Sequence, residues 1–245
     1  MKRFATPSPN FDARPDGVRP ELLVLHYTDT NTLAETLGIL LDPARKVSAH
    51  YVLDEDGTVH SLVDEAARAW HAGVACWRGL RDVNARSIGI EIQNPGHRCG
   101  YRAFPQAQVE ALAVLCKEIV ARHAIAPRDV VGHSDVAPAR KRDPGELFPW
   151  ERLAQDGIGL FPSGVAPRRR VVRDFGPGES DEAILAAQTD LARFGYDCPV
   201  TGTLDEATAA VLVAFQRRFR PARFDGRLDG ETHARLRALL AQIFH

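Results

Sequence analysis

The sequence predicts an α/β domain, one sheet with helices packed against it, followed by a small module of three helices. Two observations carry this reading. Strand-length apolar runs interleave with helical patterns as far as about residue 155, and everything beyond Ser180 has helical spacing. A third observation separates the parts: Ile158 to Gly178 is rich in Gly, Pro and Arg and has no usable period.

The first strand is the apolar run in ELLVLHYTDT, which ends at His26 and Tyr27. TLAETLGILLD follows with helical spacing, and Thr32 stands ready as its N-cap. SAHYVLDEDGTVHSLV reads as two strands around Asp56-Gly57, a strong hairpin signal. SIGIEIQN alternates around Ile88, Ile90 and Ile92 and is expected to be a strand. A helix is predicted from about Pro105 to His123, with Val109, Leu112, Ala113, Leu115, Cys116, Ile119 and Val120 as its apolar stripe. DVVGH then forms a short strand ending at His133, and a last short helix is expected around Trp150 to Ala154.

These patterns divide the chain into residues 1–157, a linker at 158–179 and a helical module at 180–245. Within the module, GTLDEAT and GRLDGET echo one another. Asp205 and Asp229 are each placed to cap a helix, and Ala209, Leu212, Val213 and Phe215 to Phe219 supply an apolar face. The run Arg168 to Arg170 reads as a solvated part of the linker.

The formal net charge is -1, so no global basic surface marks the chain as a nucleic-acid or anionic-membrane binder. No apolar run approaches the length of a transmembrane helix, and no signal-peptide pattern follows Met1. As written, the chain is expected in the cytoplasm, with periplasm or cell envelope as the alternative. The cysteines Cys76, Cys99, Cys116 and Cys198 form no C-x-x-C pair and are expected to be free thiols packed as small apolar groups.

Nine histidines are spread along the chain, and position separates them. His26 and His133 each stand at the downstream end of an apolar strand, where a buried sheet hands its last side chain to a cleft. His123, near a helix end, has a plain explanation in the helix dipole. GHSDVAPARKRDPGELFPW adds Lys141 and Asp143 on a Pro-bounded, Arg-rich loop. His26, His133 and Asp143 would make the three-ligand set of a catalytic zinc, although spacing alone is only suggestive. Glu91 lies among isoleucines and is costly there without a partner or a task. The alternation leaves open whether it faces solvent or a polar cleft.

Taken together, LHYT, SAHYVL, AWHAG, SIGIEIQN and GHSDVAPARKRDPG closely resemble the type-2 N-acetylmuramoyl-L-alanine amidases, over roughly Pro7 to Leu153. Animal peptidoglycan-recognition proteins share that fold more distantly. The resemblance implies a mixed central sheet flanked by helices, and zinc-dependent hydrolysis of the amide between N-acetylmuramic acid, or its anhydro form, and L-alanine. It implies His26, His133 and Asp143 as ligands of one zinc ion and Glu91 and Lys141 as the catalytic pair. His50, Trp70, His71 and Asn84 lie in the remaining motifs and are candidates for the substrate cleft, with packing or loop anchoring equally able to explain each. The tail, with ILAAQTDLARFGY, TGTLDEATAAVLVAFQRRF and DGRLDGET, resembles the small helical peptidoglycan-binding domain often fused to wall hydrolases. The implied partner is peptidoglycan or a muropeptide, with no nucleic acid and no protein partner. Two rivals stand beside this reading: a non-catalytic peptidoglycan receptor on the same fold, and a zinc hydrolase of another cell-wall amide bond.

Overall fold

The computed structural model describes residues 1–162, 165 and 173–244. In chain order the elements are β1 (Arg3–Ala5), β2 (Phe11–Ala13), β3 (Leu22–Tyr27), α1 (Leu33–Leu40), β4 (Tyr51–Leu53), β5 (Val59–Ser61), β6 (Ala67–Ala69) and β7 (Ser87–Ile92). Then come α2 (Gly96–Cys99), α3 (Gln106–His123), β8 (Val130–Gly132), α4 (His133–Val136), α5 (Trp150–Gln155), α6 (Glu182–Phe194), α7 (Glu206–Phe219) and α8 (Gly230–Ile243). Local signals place most of these. Thr32 Oγ1 caps α1, and the side chains of Asp205 and Asp229 cap α7 and α8. The Asp56-Gly57 turn joins β4 and β5 as an antiparallel pair.

Six strands form one mixed sheet in the order β1-β5-β4-β7-β3-β8, with β4, β7, β3 and β8 mutually parallel. Both faces of its centre are buried. Leu23, Leu25, Ile88, Ile90, Ile92 and Val130 pack with Leu112, Leu115, Cys116 and Ile119 of α3. On the opposite face, Leu22, Val24 and Val131 share a continuous core with Trp77 and with Leu191, Phe194, Leu212 and Phe215 of the C-terminal helices. Trp77 makes edge-on ring contacts with Phe194 and Tyr196 at 5.9 and 5.2 Å. The three C-terminal helices thus cover one face of the sheet.

A buried polar knot reinforces that docking. Asp135 of α4 accepts hydrogen bonds from Arg218 (2.6 Å), Tyr196 Oη (2.6 Å) and the Gly132 N–H (2.8 Å), and Arg218 also donates to the Val130 carbonyl. Both members of the Arg218–Asp135 pair are almost wholly buried. All four cysteines are free; Cys76, Cys116 and Cys198 are buried and Cys99 is exposed. Among the described residues no helix is long and apolar enough to cross a membrane. The Arg168 to Arg170 run and His245 lie outside the described residues.

Candidate active site and metal centre

Strands β7, β3 and β8 run parallel side by side, so their carboxyl ends open on one edge of the sheet. That edge is the general location of sites in α/β folds. β3 brings His26 there, and α4 starts with His133 directly beyond β8. Asp143 comes from the loop after α4. All three are buried and converge. His26 Nδ1 lies 2.9 Å from His133 Nδ1 and 3.0 Å from Asp143 Oδ2, and His133 Nδ1 lies 2.9 Å from the same oxygen.

The surrounding hydrogen bonds assign the protons. His133 Nε2–H donates to the Ala72 carbonyl at 3.0 Å, which leaves its Nδ1 with a lone pair. Ser87 Oγ–H donates to the Val83 carbonyl, so Ser87 accepts from His71 Nε2–H at 3.1 Å. His71 Nδ1 therefore accepts from His26 Nε2–H at 3.0 Å, and the His26 Nδ1 lone pair also points inward. Two lone pairs and a carboxylate oxygen crowded this closely repel one another unless a cation sits among them. A tetrahedral zinc, with bonds near ~2.0–2.2 Å, holds its ligand atoms about 3.3 Å apart. The donor set fits that spacing to within a few tenths of an ångström. Outward N–H contacts of this kind are what fix the tautomer of metal-binding imidazoles.

The electrostatics agree with the proton assignment. Burial, and then the charge of His133, lowers the His26 pKa to about 4, so the ring is neutral near pH 7.

Glu91 is the register partner of His26 in the β3–β7 pair, so the two side chains rise from the same face. The question left open by alternation is thereby answered: Glu91 faces the cleft. Burial first, and then the charge of Asp143, pushes its pKa well above the carboxylate range, while Lys141 opposes the shift. Its Oε2 is buried and, among the described residues, has no hydrogen-bond partner. Glu91 and Lys141 line one cleft of about 420 Å³ together with Tyr27, His71, His133 and Asp143.

The other predicted positions are distributed differently. His71 lines the cleft and orients His26. Asn84 Oδ1 accepts the N–H groups of His71 (3.1 Å) and Ala72 (2.8 Å), pinning the turn that carries both. Trp70 is half-buried, its N–H bonded to Ser48 Oγ. His50 lies buried beneath the cleft, where its Nδ1 accepts the Gly89 N–H at 2.9 Å and its Nε2 faces the Ala67 carbonyl at 3.3 Å. Sequence reasoning missed Ser87 and the Ala72 carbonyl, which fix the tautomers of His26 and His133. It also made nothing of Gly89, where a Cβ would stand 2.5 Å from His71 Cγ. A glycine inside an isoleucine-rich strand is itself a sign of such close approach.

His50 supplies a pH prediction. Burial, and to a lesser degree the nearby Arg14 charge, lowers its folded pKa to about 4, against about 6.5 for an unfolded histidine. The unfolded chain therefore binds more protons between these values. The contribution is fully present above pH 6.5 and is lost as pH falls through 4, a loss of about 3 kcal/mol. Denaturant unfolding at pH 7 and pH 4.5 should show a smaller decline for His50→Gln than for the unmodified chain. Identical declines would contradict this.

With the geometry in place, comparison with known proteins is direct. A family model described as N-acetylmuramoyl-L-alanine amidase matches residues 16–146, and one described as a putative peptidoglycan binding domain matches residues 180–236. N-acetylmuramoyl-L-alanine amidase AmiD of Escherichia coli is 40% identical over 243 residues, covering 91% of this chain and 83% of that protein. 1,6-anhydro-N-acetylmuramyl-L-alanine amidase AmpD of Citrobacter freundii is 34% identical and covers 60% of this chain and 86% of its own. The structure of E. coli AmiD with the substrate anhydro-N-acetylmuramic acid-L-Ala-D-gamma-Glu-L-Lys superposes with a TM-score of 0.76 at 37% identity, over 93% of this chain and 92% of that one. AmpDh3 of Pseudomonas aeruginosa, in complex with an anhydromuramic pentapeptide, gives 0.75 at 33% identity over 94% of each chain. Extensive identity, a shared fold and a converging His-His-Asp set all agree, and the chain belongs to the N-acetylmuramoyl-L-alanine amidase family.

Proposed function

We propose that this protein hydrolyses the amide joining the lactyl group of N-acetylmuramic acid, or its anhydro form, to L-alanine, with His26, His133 and Asp143 as ligands of one zinc ion. The observation that carries this reading is the convergence of two imidazole lone pairs and a carboxylate beside a buried, unpartnered glutamate oxygen. Bound zinc supplies Lewis acidity, acidifying water and polarising a carbonyl at neutral pH.

The remaining chemistry belongs to the side chains. Glu91 is the general base: its Oε2 takes a proton from the attacking water and returns one to the amine of the departing L-alanine. A raised pKa makes the ionised carboxylate a stronger base and lets the carboxyl hold the proton that it later delivers. Lys141 is the fixed cation that stabilises negative charge developing on the former carbonyl oxygen. His71 and Ser87 hold His26 in its ligating tautomer, and the Ala72 carbonyl does the same for His133. We read residues 1–157 as the catalytic part, 158–179 as the connection and 180–245 as a peptidoglycan-binding module, a division supported by the family match at 180–236.

Mass spectrometry of digested muropeptides tests the reaction. Free stem peptides beginning with L-alanine are the expected product, and intact lactyl-peptides would exclude it. Parallel digestion of intact sacculi and soluble anhydro-muropeptides distinguishes a wall-degrading enzyme from a recycling one.

A further inference from the structure

Helix α4 is a single turn, His133–Val136, too short to hold itself in place. Each of its four residues is gripped from a different side. His133 is held through its Nε2–H by the Ala72 carbonyl. The Ser134 N–H donates to the Asp143 carbonyl at 2.9 Å, so the backbone of a second metal-site residue hangs on the same turn. The Val136 carbonyl accepts the Cys76 N–H at 2.8 Å, which ties α4 to the segment that presents Ala72. Gly132, just ahead of the turn, packs against the residue after Asp143: a Cβ there would stand 2.7 Å from Pro144 Cδ. A shift of α4 therefore carries His133 and Asp143 with it.

Asp135 supplies the fourth grip, and it reaches into the C-terminal helices. Its Oδ2 accepts the Gly132 N–H at 2.8 Å, closing the turn onto the end of β8. The same oxygen takes Arg218 Nη1 at 2.6 Å, and Oδ1 takes Tyr196 Oη at 2.6 Å. Arg218 extends its other arm to the Val130 carbonyl at 2.9 Å, and its guanidinium lies over Trp150, 4.0 Å from the ring centroid. Tyr196 is fixed in turn by its edge-on contact with Trp77. Asp135, Tyr196 and Arg218 are all buried. A buried carboxylate with fixed donors on both oxygens is held in one orientation. Docking alone does not call for such a knot, because an apolar trio of similar volume is often at least as stabilising.

We propose that the C-terminal helices position the metal site: Tyr196 and Arg218, acting through Asp135, set where α4 begins and hence where His133 and Asp143 meet His26. The proposal rests on the zinc reading, because the effect is expressed at the metal. The three ligands are not equally secured by the sheet. His26 rides on β3, which is paired on both sides. His133 follows β8, a three-residue strand at the sheet edge, and Asp143 lies on the loop beyond. These two depend on α4, and α4 depends on Asp135. Loss of one donor frees the carboxylate to turn, releases the Gly132 N–H and lets α4 drift. Displacements beyond about 0.2 Å already matter to a metal site. Tyr196 and Arg218 are thus positioning residues, and the module completes the site apart from any contact that it makes with the wall.

Three full-length variants test this. Tyr196→Phe keeps the ring and removes one hydroxyl, and Arg218→Lys keeps the charge but not the fork. Leu236→Ala loosens the apolar core of the same helices and leaves the knot's hydrogen bonds in place. Zinc affinity is read by competition with a chromophoric chelator, at a temperature where circular dichroism shows each chain folded. Site geometry is read from the visible absorption of the cobalt-substituted proteins. Tyr196→Phe and Arg218→Lys should each bind zinc about tenfold more weakly, the lower end for groups that orient metal ligands. Their cobalt bands should shift, and kcat should fall at unchanged KM. Leu236→Ala should melt at a lower temperature yet keep the zinc affinity and cobalt spectrum of the unmodified chain. Unchanged affinity and spectrum in either of the first two, or an equal loss in Leu236→Ala, would overturn the positioning role. An unmodified chain that binds no zinc would instead overturn the zinc reading, and this proposal with it.

Discussion

Glu91→Gln is expected to lower turnover by roughly 10²–10⁴-fold, the usual contribution of a positioned general acid-base group, while the protein remains folded. Glutamine keeps the shape and volume of the side chain but neither accepts nor returns the proton. Position argues for a large effect. Glu91 sits opposite His26 in the strand register, on the cleft face, with Oε2 buried and unpartnered. A carboxylate kept there for structure would carry a hydrogen bond or an ion pair, because an unsatisfied buried acid destabilises the fold. Glu91→Gln should therefore leave stability unchanged or raise it slightly while activity falls. Lys141→Ala should cost about a hundredfold or more in kcat through loss of oxyanion stabilisation. Steady-state release of L-alanyl stem peptides, measured beside thermal unfolding of each variant, separates these outcomes. Near-normal turnover in Glu91→Gln would remove it from the mechanism.

The second large effect concerns the C-terminal helices. A chain ending at residue 162 is expected to lose cooperative folding. Leu22, Val24, Trp77, Val131 and Val136 would lose their cover. At about 1.5–3 kcal/mol for each buried apolar side chain, that exposure alone is of the order of ~10 kcal/mol, comparable with the whole stability of an ordinary domain. Asp135 would also lose Arg218 and Tyr196 and be left as an unpaired acid. Relatives such as AmpD match only 60% of this chain, so the family fold does not itself require the module. The requirement comes from this chain's own apolar face. Arg218→Met isolates the polar part and should destabilise by about 3–5 kcal/mol, the usual cost of removing one partner of a buried pair. Near-ultraviolet circular dichroism and dye binding would report the loss of packing. A sharp, reversible melting transition in the shortened chain would contradict the prediction.

Much of this architecture was legible in local sequence signals. Thr32, Asp205 and Asp229 act as caps because each side-chain oxygen needs only a backbone N–H two or three residues away. The hairpin at Asp56-Gly57 is equally local. His26 and His133 were visible because they end apolar strands, a pattern that survives without knowledge of the fold. Asp143 was less so: it meets His26 across 117 residues, and only tertiary structure closes that distance. Ser87 and the Ala72 carbonyl carry no sequence signal of their own, since their role is defined by which ring nitrogen lies above them. The docking of α6–α8 was hidden by the Gly-, Pro- and Arg-rich stretch before them, whose composition reads as a free connection. A hint did exist in Leu22-Leu23-Val24-Leu25. An unbroken apolar run marks a strand covered on both faces, and the long helix α3 covers only one of them.

Metal analysis of the purified protein tests the central claim most directly. After zinc loading and exhaustive dialysis, the intact chain should retain one zinc per molecule, and His133→Ala, still folded, should retain almost none. A folded intact chain that holds no zinc, or a His133→Ala variant that holds it as tightly, would show that these donors do not share an ion.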